Sequence, residues 1–252
     1  MSAETEDERF ERLSRDRIVR PMPKRFYKVV GVTQKLEIAL DGKIVKTPLK
    51  VPLVLATRAL ADAVAAEWDA QAEYINPGAM PLTKLANTAI DRATRERSGI
   101  TLEILEFAGS DMICYRADKP ASLVMLQTQY WDPVIAWAHD GPGAKFATVD
   151  AIRHINQSET ALRAVRAHVE GLDAFTFTAV HNLTTLTGSA LLALMLAADG
   201  ISPEQAWLAA NVDEDWQIAT WGKDDEAEVR RVGRRREFLA CVTFIKLARK
   251  RS

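Results

Sequence analysis

Catalysis and cofactor binding leave characteristic residue spacings, and few stretches of this 252-residue chain approach them. His139-Asp140 sets an imidazole beside a carboxylate that could orient it, the arrangement by which a general base activates a nucleophile. No nucleophile stands near it in sequence, although folding commonly unites such partners from distant positions. Gly141-Pro142-Gly143-Ala144-Lys145 places a lysine after glycines, but it lacks the spacing and the following Ser or Thr of a phosphate loop. Pro142 also removes one of the amides that such a loop uses. The histidines His139, His154, His168 and His181 make no helical-spacing pair for a metal, and Cys114 and Cys241 match no metal or redox spacing. The two cysteines are expected to be reduced thiols in the core.

Charge gives a second kind of candidate. With 33 Lys and Arg against 34 Asp and Glu, the formal net charge of −1 draws the whole chain to neither nucleic acid nor an anionic membrane. Any such binding must be local, and Arg230, Arg231, Arg234, Arg235 and Arg236 form one cluster that could meet phosphates. Acidic residues lie just upstream: helical spacing sets Glu226 against Arg230, with Asp224 and Glu228 in reach of Arg231, so mutual surface pairing is the reading here. Five of the six tryptophans (Trp131, Trp137, Trp207, Trp216, Trp221) fall in the second half of the chain. Most should be core, but two or three exposed together would make an apolar patch fit for a protein partner.

The elements that position these residues follow from periodicity. Hydrophobic residues at 48% and charged residues at 27% specify a folded soluble protein and exclude whole-chain disorder. From Arg25 to about Val54 the apolar residues alternate, and Asp41-Gly42 is suited to a two-residue hairpin turn, while Pro48 and Pro52 confine any later strand to an edge. Beyond Thr57, which can cap a helix, the period becomes 3.6, with Leu60, Val64 and Trp68 one turn apart. Pro77 to Pro81 breaks this helix, and a second stripe follows from Leu82 to Ala93. Thr101 is expected to cap the next helix, and Leu123 to Ala138 marks another. There Asp132-Pro133 either starts a fresh helix or bends a continuous one.

Ser158 to Gly171 reads as a short helix, and Ala174 to Ala198, which has no Asp, Glu, Lys or Arg, reads as a central core helix. His181, Asn182, Ser189 and five threonines make that stretch too polar to cross a bilayer comfortably. Ser202-Pro203-Glu204-Gln205 is a capping box, and acidic residues from Asp224 with basic residues to Arg251 match the two ends of one long terminal helix. The expected organisation is a frayed arm over 1–22, a β-rich domain with the first helix over 23–75 and a helical domain over 76–252. The fold class is α+β, a small N-terminal β-rich domain followed by a larger all-helical one. MSAETEDERFERL resembles neither a signal peptide nor a presequence, which points to the cytoplasm.

A family resemblance runs through the same stretches. Lys24-Arg25-Phe26-Tyr27, Leu40-Asp41-Gly42-Lys43 with Lys46-Thr47-Pro48, and Glu67-Trp68-Asp69-Ala70-Gln71 resemble the N-terminal signature of the Atp-twelve assembly chaperones. Met80-Pro81-Leu82-Thr83, Asn87-Thr88-Ala89-Ile90-Asp91, Tyr115-Arg116-Ala117, Trp131-Asp132-Pro133 and Trp221-Gly222 with Asp224 to Ala227 continue it in order, over roughly 24–247.

The resemblance implies a chaperone for the catalytic head of F-type ATP synthase. It would bind the unassembled alpha subunit until the beta subunit replaces it, so that an apolar interface never meets itself. It implies no enzyme, cofactor, metal, nucleic acid or membrane insertion. The family's eukaryotic members work in the mitochondrial matrix, and this chain resembles a bacterial cytoplasmic relative. It also implies a functional acidic residue near the start of the terminal helix, Asp225 or Glu226, with Glu226 favoured, and a partner-binding face there that includes Trp221. Two other readings stand beside it: an enzyme built on His139-Asp140 and carboxylates from separate helices, and a nucleic-acid or membrane-surface binder acting through the arginine-rich helix.

Overall fold

The structure is a computed structural model and describes residues 22–150 and 155–249. Most of the expected arm, His154, and Lys250 and Arg251 lie outside the described residues. Among those described, the strands are β1 (Val30–Val32), β2 (Ile38–Leu40), β3 (Lys43–Ile44), β4 (Tyr115–Arg116) and β5 (Val149–Asp150). The helices are α1 (Arg58–Asp69), α2 (Pro81–Asp91), α3 (Arg97–Gly109), α4 (Ala121–Asp140) and α5 (Glu159–Glu170), then α6 (Ala174–Thr187), α7 (Ala190–Ala197), α8 (Pro203–Ala210), α9 (Val212–Trp221) and α10 (Asp225–Ala248). The fold is α+β: a small N-terminal sheet followed by helices.

The chain divides into two compact units, one made of residues up to Asp91 with those from Lys223 onward, the other of Arg92 to Gly222. This differs from the boundary expected at residue 75, because α2 and α10 pack with α1 and so belong with the sheet. In this unit β1, β2 and β3 pair antiparallel in order, and Leu40 lies opposite Lys43. Asp41-Gly42 is therefore the two-residue turn, with φ of 47° and 78°, the left-handed values that such a hairpin requires. Hydrogen bonds from the Val29 and Lys28 amides also hold the Asp41 carboxyl below the usual range.

The stretch before β1 is anchored by backbone and side chains together. Lys24 bridges Tyr74 antiparallel, and the Arg25 amide donates to the Glu73 carbonyl at 2.8 Å. The Arg25 guanidinium donates to the Asp69 carbonyl at 2.8 Å, and the Tyr27 hydroxyl donates to the Trp68 carbonyl at 2.7 Å. Tyr27, Leu40, Ile75 and Met80 form a core under the sheet, with Val30, Val45 and Trp68 against it.

The helices of this unit are joined through carboxylates. Thr57 caps α1, its hydroxyl accepting from the Leu60 amide at 3.1 Å and donating to the Leu247 carbonyl in α10. Glu67, within α1, accepts from the Leu82 and Thr83 amides at 2.7 Å each and from the Thr83 hydroxyl at 2.7 Å. It thereby satisfies the first turn of α2, whose own sequence starts with Pro81 and offers no capping side chain before it. Burial raises the Glu67 carboxyl pKa against these bonds. At the far end of α2, Asp91 accepts from the Thr47 hydroxyl at 2.6 Å and the Leu49 amide at 3.1 Å.

In the second unit α7 is the hub. All eight of its residues are buried, and α3, α4, α6 and α8 pack around it. The run expected as one central helix is broken by Gly188, at φ 71°, between α6 and α7. Ser189 caps α7, accepting from the Leu192 amide at 3.0 Å. Asp111, wholly buried, accepts from the Leu191 amide at 3.0 Å with one oxygen and the Ile113 amide at 3.2 Å with the other. Among the described residues, no helix is long and apolar enough to cross a membrane.

Thr101 does not cap α3; it lies buried inside it. The helix starts a turn earlier because Glu96 is held by Arg92 at 2.6 Å, and Arg97 donates to the Val169 and Glu170 carbonyls that end α5 while lying 4.3 Å over Phe177. Pro133 lies within the single helix α4, and Asp132 caps nothing there: its carboxylate accepts from Arg116 at 2.8 Å. Ser158 caps α5 and the Ser202–Gln205 capping box opens α8, both as the sequence dictates.

Burial pushes the Asp111 carboxyl up from 3.8 to about 6, despite its hydrogen bonds to Leu191, Ser189, Ile113 and Ala190. The folded state holds this proton more tightly than the unfolded chain, so the associated stability is present below 3.8 and lost as pH rises through about 6. Between about pH 4 and about pH 7 the wild type should lose roughly 3 kcal/mol relative to Asp111→Asn, read from urea unfolding; parallel stability curves would contradict the assignment.

Burial also pushes the thiols of Cys114 and Cys241 up to about 12, and both are free and buried. At about pH 8 a thiol reagent should leave both untouched in the folded protein and modify both in denaturant. Rapid labelling of either thiol without unfolding would contradict this placement.

Candidate partner-binding surface

The stretches that carry the family resemblance meet one another in pairs. Arg25 and Tyr27 of the first bond to the Trp68–Asp69 backbone, and the Tyr27 and Trp68 rings meet edge to face at 5.8 Å. Glu67 holds Leu82 and Thr83, while Asp91 holds Thr47. In the second unit Arg116 lies 5.3 Å over the Trp131 ring as it pairs with Asp132. Gln127 accepts from the Ala117 amide at 2.7 Å, and the Trp131 indole donates to the Ala209 carbonyl at 2.8 Å. These residues are joints of the fold, each satisfying a backbone group or a charge that would otherwise be stranded.

Three of the four histidines fall on described residues, in three separate places. His139 contacts Asp140 at 2.8 Å on the surface at the end of α4, His181 contacts Glu103 at 2.8 Å, and the His168 ring meets Trp137 edge to face. Both members of the His139-Asp140 dyad are exposed, with side-chain accessibilities of 51% and 77%. Among the described residues, no three His, Cys, Asp or Glu side chains converge as metal ligands would.

The tryptophans separate as their burial dictates. Trp131 and Trp207 are buried core, whereas Trp221 at the end of α9 is 73% exposed. Its ring meets that of Trp216 edge to face at 5.4 Å, and the Trp216 indole donates to the Ser122 hydroxyl of α4 at 3.0 Å. One turn along α4, Met125 is also 73% exposed and lines a groove with Ser122, Val124 and Thr128. Sequence reasoning named Trp216 and Trp221 but missed Ser122 and Met125. Their neighbours Leu123 and Leu126 share the apolar composition of the α4 stripe, and only the fold shows which way each faces.

Asp225 and Glu226 lie in the first turn of α10, behind the N-cap Asp224, whose carboxylate accepts from the Ala227 amide at 2.7 Å. Glu226 is 89% exposed and pairs with Arg230 at 3.5 Å, the pairing that its spacing specifies. Glu228 pairs with Lys223 at 3.7 Å. Three acidic residues at a helix N-terminus complement its dipole. Trp221 closes one compact unit and Asp225 and Glu226 open the last helix of the other, so the three expected site residues stand on two units.

Comparison with known proteins gives a consistent answer. Residues 24–139 match the family described as ATP12 chaperone protein. A point mutant of P. denitrificans Atp12p, an Asp-to-Lys substitution, superposes with a TM-score of 0.85 at 36% identity, covering 90% of this chain and 98% of that one. The Atu1473 protein of Agrobacterium tumefaciens gives 0.84 at 42% identity, covering 90% and 87%. The mitochondrial protein atp12 of Schizosaccharomyces pombe is 23% identical over 225 residues, 82% of this chain and 76% of that one. With more than a third of positions identical across nearly the whole of a solved Atp12, the chain belongs to the ATP12 chaperone family.

Proposed function

We propose that this protein is an assembly chaperone for the catalytic head of F-type ATP synthase, which binds the unassembled alpha subunit and keeps it from aggregating until it pairs with beta. Membership of the ATP12 chaperone family is the observation that carries this reading. The surface chemistry supports it. Trp221, three-quarters exposed with its ring against Trp216, offers an aromatic side chain of the kind that anchors protein interfaces. Glu226 and Asp225 offer carboxylates on the exposed first turn of α10.

A temporary partner must cover an interface that resembles an opened core, yet leave when the permanent subunit arrives. Exposed aromatic area and solvated carboxylates each suit that demand, since contact area supplies grip and solvated charge supplies selectivity and fast exchange.

Tagged protein should therefore retain the alpha subunit and not beta, and should suppress light scattering while alpha refolds; retention of neither subunit would overturn the proposal. Glu226→Lys should weaken alpha binding by roughly tenfold, since it reverses a charge that the partner would complement. Its melting curve should not move, because Glu226 is almost fully solvated and its pairing with Arg230 is long. Unchanged binding with an unchanged melting curve would remove Glu226 from the site.

A further inference from the structure

The three-stranded sheet of the first unit ends at β1, and one side of that strand pairs with nothing. The Asp41 amide donates to the Val29 carbonyl at 2.8 Å, Gly31 lies opposite Ala39, and the Thr33 amide donates to the Glu37 carbonyl at 3.0 Å, so these residues face β2. Backbone groups alternate in direction along a strand, so the amides and carbonyls of Val30 and Val32 point away from the sheet. Ile38 of β2 fits the same alternation, its amide donating to Leu53 and its carbonyl accepting from Val45 on the far side. Among the described residues no backbone group pairs with the outer edge of β1, whose three residues are all half-exposed. Lysines surround this edge. Residues 22–56 hold six of them, with Arg25, against two carboxylates. Arg25 pairs with Asp69, whereas Lys24, Lys28, Lys35, Lys43, Lys46 and Lys50 are exposed and form no ion pair among the described residues. Both carboxylates are engaged within the unit: Glu37 accepts from the Thr33 hydroxyl at 3.0 Å, and Asp41, which lies near Lys28 and Lys43, accepts from the Lys28 and Val29 amides. Lys28 and Lys35 flank β1 at its two ends, and just before it Phe26 is 74% and Val29 65% exposed.

From this we infer that β1 receives an extended acidic segment of a client protein as an added strand, with backbone pairing at Val30 and Val32 and client carboxylates on Lys28 and Lys35. The inference rests on the chaperone reading and adds a docking edge and the chemistry of what it takes. The backbone selects the kind of partner. Only an extended polypeptide returns donors and acceptors at strand spacing, which neither a lipid surface nor a nucleic acid offers. Charge then selects the sequence. Lysines on an edge deter neutral and basic strands, and they turn to attraction when the incoming strand has carboxylates. A symmetric pairing of two β1 strands would set the lysines of one copy against those of the other, which disfavours a second copy as occupant. Phe26 and Val29 give apolar contact to residues that alternate with the carboxylates.

The test uses the whole protein and short fluorescein-labelled peptides read by anisotropy: an alternating Val/Glu peptide, an alternating Val/Lys peptide, and the Val/Glu peptide N-methylated at every amide. The Val/Glu peptide should bind, the other two at least about tenfold more weakly, and its affinity should fall as salt screens the lysines. Val32→Pro removes an outward amide and leaves the β1–β2 hydrogen bonds in place, and should weaken binding by about fivefold or more. Lys28→Glu with Lys35→Glu should weaken it by about tenfold and reduce its salt dependence, with melting curves recorded for each variant. Should Val32→Pro fail to fold, the N-methylated peptide and the lysine variant still decide the matter. Equal binding of the N-methylated or the Val/Lys peptide, or no loss in the lysine variant, would overturn the proposal. Alpha-subunit retention measured on the same proteins separates the two readings. Variants that lose the peptide yet hold alpha contradict this edge while leaving the chaperone reading in place. Wild-type protein that binds the peptide and not alpha supports the edge and removes the named client.

Discussion

A helix buried on every face cannot complete its own hydrogen bonding in the dry interior, and α7 poses that problem at the centre of the helical unit. All eight of its residues are buried, so the amides of its first turn have no water to donate to. Asp111, from the segment after α3, and Ser189, just past the break at Gly188, answer together: the carboxylate takes the Leu191 amide and the hydroxyl takes the Leu192 amide. Burying a carboxylate is costly, and burial pushes the Asp111 carboxyl up to about 6 although its hydrogen bonds pull the other way. What the arrangement secures is register. It fixes where α6 ends and α7 begins, and α3, α4 and α8 pack on the result.

The sheet-bearing unit repeats the device at its surface and in its core. Glu67 caps α2 from within α1, and Asp91 ties the end of α2 to the loop after β3. Asp41 gathers the amides of Lys28 and Val29 at the hairpin. Carboxylates that accept from backbone amides thus join segments of this chain that are separated in sequence. The stretches that carry the family resemblance identify the fold. All but the last, from Trp221 to Ala227, are joints whose chemistry is spent inside it.

That distinction governs how much could be read from the residues alone. Local rules were sufficient where the responsible group lies within a few residues: the Asp41-Gly42 turn, the caps at Thr57, Ser158 and Ser202, and the Glu226–Arg230 pair all formed as spacing dictates. They failed where a distant group decides. Thr101 lies inside α3, whose first residue Arg97 is held by the end of α5, 72 residues away, and the second capping acceptor for α7, Asp111, lies 80 residues away from the amide it holds. The stretch from Arg25 to Val29 alternates like a strand, yet it makes only a short bridge with the segment around Tyr74, and the Arg25 and Tyr27 side chains complete its anchoring. Trp221 was legible as a candidate through the tryptophan distribution, but Met125 and Ser122 were not, since an apolar stripe does not reveal which members face outward.

The account therefore separates a scaffold held by buried carboxylates from a surface whose exposed groups have no structural duty of that kind. Met125 and Trp221 stand in water at 73% exposure, and Glu226 at 89%. The most direct measurement is hydrogen–deuterium exchange of the protein with and without isolated ATP synthase alpha subunit. The account predicts slowed exchange in α9, the start of α10 and β1, with α6 and α7 unchanged. Exchange that is not slowed in α9 and the start of α10 would contradict it.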